Sequence, residues 1–231
     1  FGDGEGLPPI SIPNSKINAI LRGFVDRVDV WQSPGSSYYR VVDYKTGKKD
    51  FDYCDVFNGV GLQMLLYLFC LWDNAKDRYG DIIPAGILYV PAKTGSMPLP
   101  RNATVEEIEA QKLKNGKMNG LILADRNVIL GMDSTGEGVY INAKIDKKGE
   151  LKGSIASLDT FVQIHEKIET LIKEMFADLR QGSIYAVPVQ GSNYKDICRY
   201  CDYASVCCRE STDPVRKLDA TGGENTDAVD T

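Results

Sequence analysis

The sequence has no Gly-x4-Gly-Lys-Ser/Thr loop, so the chain lacks the phosphate cradle of P-loop proteins, and at 231 residues it is too short for a motor enzyme. Nor is there a basic surplus. With 27 Lys and Arg against 32 Asp and Glu, the net charge of −5 argues against a surface that coats nucleic acid generally, while leaving room for a local basic groove. Long apolar runs are also missing. The longest, Leu62 to Trp72, already contains Gln63 and falls short of the roughly 20 residues that span a bilayer. Phe1 to Ile20 holds Gly, Pro and acidic residues where a signal peptide would need a basic start and an apolar core, so the chain reads as a soluble, cytoplasmic protein with no membrane partner. It begins with Phe rather than Met, which fits a piece of a longer protein. Histidine occurs once. His165 falls on the apolar stripe of a late helix with no acidic or cysteine motif beside it, the setting of a packed histidine rather than a metal ligand. No internal repeat is present.

What remains is ordinary globular composition, 43% hydrophobic and 26% charged, which excludes collagen-like, wholly disordered and small disulfide-scaffold classes. Residues 1–16, rich in Gly, Pro and Ser, read as a flexible lead-in arm, and residues 211–231 as a disordered acidic tail. Between them, 17–193 read as the core and 194–210 as a cysteine-rich segment. Apolar and polar residues alternate over Ile20–Trp31 and Tyr38–Tyr44 around a Ser-Pro-Gly-Ser-Ser turn, predicting a β-hairpin. Val56–Tyr79 predicts one long, mostly buried helix, and Ala85–Val90 a buried strand ended by Pro91. Thr104 with Glu107 forms a capping box ahead of a short helix. Leu121–Met132 suits either helix or strand. Val139–Ile145 and Leu151–Ile155 bracket a second hairpin, and apolar positions from Leu158 to Leu179 mark a helix of about six turns that breaks off at Gly182.

The chemistry gathers on the first hairpin. Asp26 on its first strand and Asp43-Tyr44-Lys45 at the end of its second bring two carboxylates and an ammonium together on pairing. Adjacent carboxylates repel unless a cation lies between them, and a hard divalent ion is the usual solution. A lysine beside such an ion orients or deprotonates a water and stabilises charge growing on a phosphoryl centre. The same acidic-x-Lys triplet at Asp146–Lys148 and Glu150–Lys152 sits around a polar turn, where charges are simply solvated. A surface ion pair at a strand end is the plainer reading of Asp43 and Lys45. Gln63 and Tyr67, four apart on the next helix, share a face and are polar groups on an apolar helix in need of partners. Asp29, at odd spacing from Asp26, points to the other strand face and reads as a structural ion pair with Arg27 or Arg22.

Gly23-Phe24-Val25-Asp26, Val42-Asp43-Tyr44-Lys45 and Gln63-Met64-Leu65-Leu66-Tyr67 resemble, in order and approximate spacing, the motifs of the RecB-like branch of PD-(D/E)xK nucleases. The resemblance implies an α/β, restriction-endonuclease-like core with a mixed central sheet flanked by helices. It implies that Asp26, Asp43 and the Tyr44 carbonyl hold Mg²⁺ (or Mn²⁺), that Lys45 is catalytic, and that Gln63 and Tyr67 lie beside the DNA backbone. Such nucleases draw a further ligand from a helix ahead of the hairpin, and this chain shows no such helix.

Cys198-x2-Cys201-x5-Cys207 supplies three thiolates within ten residues, suited by type to zinc or an iron-sulfur centre, both of which normally take four ligands. The segment Asp196–Cys207 resembles the C-terminal 4Fe-4S staple of AddB-type subunits of helicase-nucleases, whose fourth cysteine lies upstream of the nuclease hairpin. No cysteine precedes Asp26 here, Cys54 and Cys70 follow the hairpin, and Cys208 adjoins Cys207. Together the resemblances imply the nuclease fragment of a longer subunit. Its activity would be a metal-dependent exonuclease on single-stranded DNA ends during helicase-coupled break processing and recombination, with an AddA-like motor subunit as partner and the cluster present in the full-length protein. Three rivals stand beside this: a stand-alone iron-sulfur nuclease of the CRISPR-adaptation type, a catalytically inactive DNA-binding module on a nuclease fold, and a zinc-stabilised interaction domain.

Overall fold

The computed structural model describes residues 1–2, 6–11, 20–33, 35–47, 49–92, 99–190, 197–210 and 212–218. The expected limits of the arm near residue 16, the start of the cysteine segment at 194 and most of the acidic tail lie outside them. In chain order the elements are β1 (Ile10–Ser11), β2 (Ile20–Leu21), β3 (Arg27–Ser33), β4 (Ser36–Lys45), α1 (Tyr53–Phe57), α2 (Gln63–Asn74), α3 (Lys76–Tyr79) and β5 (Ile82–Pro91). There follow α4 (Val105–Asn115), β6 (Asn119–Leu123), α5 (Arg126–Met132), β7 (Ala143–Ile145), β8 (Leu151–Gly153), β9 (Ile155–Ala156), α6 (Leu158–Arg180), β10 (Val189–Gln190), α7 (Ala204–Cys207) and β11 (Arg216–Lys217).

The chain divides into two compact units, one of Phe1–Phe51 with Leu62–Glu166 and one of Asp52–Gly61 with Lys167–Thr231. The first holds a mixed five-stranded sheet ordered β3-β4-β5-β6-β9. β3 and β4 are antiparallel, β4 and β5 parallel, β5 and β6 antiparallel, and β6 and β9 parallel. β5 is central and apolar along nearly its whole length, as a strand covered on both faces must be. A methyl on Gly120 would drive into the Ile87 carbonyl oxygen, so glycine there permits the close approach of β5 and β6. Tyr39, Val41, Leu65, Leu68, Leu88 and Leu121 are fully buried in the core of this unit. The Tyr39 hydroxyl donates to the Leu68 carbonyl at 2.8 Å, seating α2 on the odd-numbered face of β4.

The structure departs from expectation at several places, among them the bounds of β5, which runs from Ile82 through Pro91. Ile20–Trp31 is not one strand: Ile20–Leu21 pairs with Ile10–Ser11, while Gly23 exchanges backbone hydrogen bonds with Phe1, and the hairpin strand starts only at Arg27. The long helix over Val56–Tyr79 is broken into α1, α2 and α3: Gly59 and Gly61 adopt φ of 77° and 68°, left-handed values that no α-helix continues through, and end α1 before α2, while Ala75, at φ −100° and ψ 6°, separates α2 from α3. Leu121–Met132 is strand and then helix: Asp125 accepts from the Asn127 and Val128 amides and so starts α5 after β6 ends. The capping box of Thr104 and Glu107 forms as expected and α6 runs 23 residues, while the second hairpin is shorter than Val139–Ile145 and Leu151–Ile155: only β7 and β8 pair, and Ile155 lies in β9 beside β6.

The second unit contains α1, capped by Asp52, the later part of α6, the short parallel pair β10 and β11, a 3₁₀ turn over Ile197–Tyr200, and α7. Among the described residues no helix is long and apolar enough to cross a membrane.

Candidate active site

Antiparallel pairing sets the site. Arg27 lies opposite Val42 and Val28 opposite Val41, so the residue before β3, Asp26, falls across from Asp43, on the same face of the ladder. Asp26 is exposed, in the bend that leads into β3, and its Oδ2 accepts from the Tyr44 amide at 3.5 Å. Asp43 is 7% exposed. Its Oδ2 lies 2.7 Å from Lys45 Nζ, the next residue along that face. The pair is held by charge: the angles do not make a directed hydrogen bond, and Asp43 Oδ2 is buried without one.

α2 supplies the neighbouring wall. Gln63 Nε2 donates to the Tyr67 hydroxyl at 2.8 Å, the i to i+4 reach of a helix face. Tyr67 is buried, but Gln63, at the first turn, is exposed; the partner each needs is the other, not Asp43 or Lys45. A methyl on Gly23 would come within 2.8 Å of the Tyr67 ring, so the segment leading to Asp26 passes tightly over α2.

The opposite face of the hairpin carries a charge chain. Asp29 accepts from Arg27 Nε at 2.7 Å and from Arg40 Nε at 2.9 Å, and Arg27 Nη1 donates to the Tyr44 hydroxyl at 3.2 Å. Burial works against ionisation of Asp29, but the hydrogen bonds from Arg27 and Arg40 outweigh it and hold the carboxyl below its usual range. The expected ion pair of Asp29 with Arg27 is therefore present. Arg40 is an addition to it, and the signal that finds it is the hairpin register: the pairing that sets Arg27 against Val42 also sets Asp29 against Arg40.

His165 is packed: its ring stacks on Phe69 at 4.4 Å, and Nε2 lies 3.1 Å from Asp73 Oδ2. Cys70 is buried, which pushes its thiol up to about 11. Cys198, Cys201, Cys207 and Cys208 are exposed free thiols of the second unit.

At the hairpin the donors are carboxylate oxygens, the hard type that Mg²⁺ or Mn²⁺ takes, and the buried Asp43 Oδ2 lacks the hydrogen bond that would otherwise occupy it. The residues present fit a hard divalent ion, with two side-chain ligands; among the described residues no three His, Cys, Asp or Glu side chains gather as a metal-binding group. The thiols of Cys198, Cys201 and Cys207 suit a soft centre by type but do not converge, so as placed they do not fit a cluster.

Comparison with known proteins agrees with the fold. The family described as the PD-(D/E)XK nuclease superfamily matches residues 4–208. An ATP-dependent helicase/deoxyribonuclease subunit of Ruminiclostridium cellulolyticum is 38% identical over 212 residues, covering 90% of this chain and 18% of that protein. Its counterparts in Clostridium novyi and Thermoanaerobacter sp. (strain X514) are 38% and 34% identical over 213 and 212 residues, each covering 90% of this chain. The chain thus spans less than a fifth of the length of these relatives. With a mixed five-stranded sheet that sets paired aspartates and a lysine at one end, and a family match over nearly its whole described length, the chain belongs to the PD-(D/E)XK nuclease superfamily.

Proposed function

We propose that this chain is the nuclease domain of an AddB-type helicase/deoxyribonuclease subunit and that it hydrolyses DNA phosphodiester bonds with Mg²⁺ held by Asp26, Asp43 and the Tyr44 carbonyl. The observation that carries the reading is the buried Asp43 Oδ2, lacking a directed hydrogen bond, 2.7 Å from Lys45 Nζ and across the ladder from Asp26. When bound, the ion supplies Lewis-acid polarisation of the scissile phosphate and a more acidic water. Lys45 positions that water and offers its ammonium to the negative charge that grows on the phosphate oxygens. Asp43, buried and tied to Lys45, keeps the ammonium aimed at one place. Gln63 and Tyr67, already joined, present an amide and a hydroxyl to the sugar-phosphate backbone of the strand being cut.

The relatives' names support DNA as substrate and a second subunit as partner; we take the substrate to be single-stranded ends produced by an AddA-like motor in the cytoplasm, during break processing and recombination. Cys198, Cys201 and Cys207 do not converge as placed, so in this reading they close into a 4Fe-4S staple only when a fourth ligand of the full-length protein draws them together. Iron and acid-labile sulfide in anaerobically prepared full-length protein, about four of each per chain, is the expected result; zinc in their place would make the segment a zinc site.

Removing the metal tests the catalytic reading. Chelation by EDTA is expected to stop cutting of single-stranded ends by the full-length protein, and added Mg²⁺ or Mn²⁺ to restore it; cutting that persists in EDTA overturns the proposal. The presence of only two gathered carboxylates among the described residues favours a second reading, a nuclease fold that holds DNA without cutting it. In that case DNA binds, but neither calorimetry nor cutting detects the metal.

A further inference from the structure

The charge chain on the reverse face of the hairpin reaches the same residues that line the candidate site. Tyr44 lies between Asp43 and Lys45. Its amide donates to Asp26 Oδ2, and its side chain, on the other face of β4, receives Arg27 Nη1 at 3.2 Å. Arg27 directly follows Asp26. Its guanidinium is shared with Asp29, which Arg40 grips from the neighbouring strand. One network therefore fastens the residue after Asp26 to the residue after Asp43, across the two strands and behind the carboxylates.

We infer that Asp29, Arg27 and the Tyr44 hydroxyl act as a positioning brace for metal binding, fixing the Tyr44 peptide, and through it Asp26, from the far side of the sheet; this rests on the reading of Asp26 and Asp43 as metal ligands.

Strand ends fray, and Asp26 lies just outside β3, where no ladder pairing holds it. A carboxylate free to swing binds a cation weakly, because binding must first fix its position. Arg27 removes that freedom: its planar fork engages Asp29 through Nε and Tyr44 through Nη1, contacts that a lysine's single ammonium would not reproduce together. Arg40 in turn keeps Asp29 in place, since its own side chain is 23% exposed and paired at 2.9 Å. None of the three touches the reacting atoms. Groups that orient metal ligands in this way commonly alter affinity by about tenfold or more when removed.

The test uses the full-length protein, with Mn²⁺ binding measured by calorimetry in the absence of DNA and the Mn²⁺ dependence of cutting measured beside it. Asp29→Asn and Arg27→Ala are each expected to weaken Mn²⁺ binding about tenfold, and Tyr44→Phe by less than either but measurably. The double variant Arg27→Ala/Tyr44→Phe should bind no more weakly than Arg27→Ala alone, because both remove one linkage. The Mn²⁺ concentration for half-maximal cutting should rise more than the maximal rate falls. Tyr44→Phe leaves the Arg27–Asp29–Arg40 pairs in place, so it reads the brace even if Asp29→Asn loosens the hairpin. Wild-type Mn²⁺ binding in both Tyr44→Phe and Arg27→Ala overturns the brace. Asp43→Asn separates the two ideas: if it abolishes Mn²⁺ binding while those two variants bind normally, only the brace fails. If Asp43→Asn binds normally as well, the reading of the site itself fails. A change in DNA affinity with unchanged Mn²⁺ binding also overturns the brace, making the reverse face a DNA contact instead.

Discussion

Lys45→Ala is expected to slow Mg²⁺-dependent cutting by about 10²- to 10⁴-fold while leaving metal binding measurable, the range that loss of one proton-handling or charge-stabilising group spans. The fold should tolerate the change. Lys45 ends β4, and its side chain is 37% exposed, so truncation empties no buried apolar space. What truncation does remove is the ammonium 2.7 Å from Asp43 Oδ2, an oxygen that is buried. With Lys45 gone, Asp43 and Asp26 face each other across the ladder without that ammonium beside them, and the metal becomes their main source of compensation. Asp43→Asn gives the complementary result: cutting falls as far, but metal binding falls with it. The two variants therefore differ in one readout and agree in the other. Calorimetry with Mn²⁺ beside a gel assay for strand cutting measures both. Wild-type cutting by Lys45→Ala would remove the lysine from the chemistry, and loss of metal binding in the same variant would make its role structural.

How far the sequence discloses this arrangement depends on what fixes each part. The hairpin is legible because a turn of known length sets a register, and one register then determines every pair, Asp29 with Arg40 and Trp31 with Tyr38 among them, and brings Asp26, one residue beyond the ladder, level with Asp43. Arg40 lies within reach of that arithmetic, whereas proximity in sequence to Asp29 points to Arg27 or Arg22. The break in the helix at Gly59 and Gly61 is harder to foresee, because strongly apolar flanks mask two glycines whose conformation depends on what the chain must turn around. The division of Leu121–Met132 has a local marker in Asp125, an N-cap residue that sits between two equally apolar halves. Exposure is the least legible property. Nothing in the Gln-x3-Tyr spacing says that Gln63 faces solvent while Tyr67 is buried, because that follows from the path of the segment around Gly23, which is set by tertiary contact.

Asp133, which no motif or spacing in the sequence marks out, carries the second large effect: its replacement is expected to loosen the strand that leads toward the site. It is 1% exposed and closes the loop after α5 with four hydrogen bonds. Oδ1 accepts from the Thr135 amide at 3.1 Å and its hydroxyl at 2.6 Å, and Oδ2 from the Val139 and Tyr140 amides at 2.6 and 3.2 Å. Burial alone would raise the carboxyl, but the Thr135 hydroxyl and the Tyr140, Val139 and Thr135 amides outweigh it and hold it below its ordinary value. The loop matters to the site through pairing. The Tyr140 carbonyl accepts from the Met118 amide, β6 begins beside it at Asn119, Asn119 lies opposite Tyr89, and Tyr89 lies opposite Asp43. Asp133→Ala takes the acceptor from three amides and a hydroxyl, those of Thr135, Val139 and Tyr140, and Asp133→Asn fares little better, because its amide group must meet donors at one end or the other. Each is expected to cost about 3 kcal/mol. In the full-length protein this reads as a roughly hundredfold loss of hydrogen-exchange protection at Met118–Leu123. The sign of the pH dependence follows from the lowered carboxyl: its stabilisation is full above the unfolded value of about 3.9 and is lost as pH falls through the lower folded value. The difference between wild type and Asp133→Asn should therefore be constant near neutrality and shrink only in strong acid. Protection unchanged by either substitution would mean that the loop closes without its carboxylate.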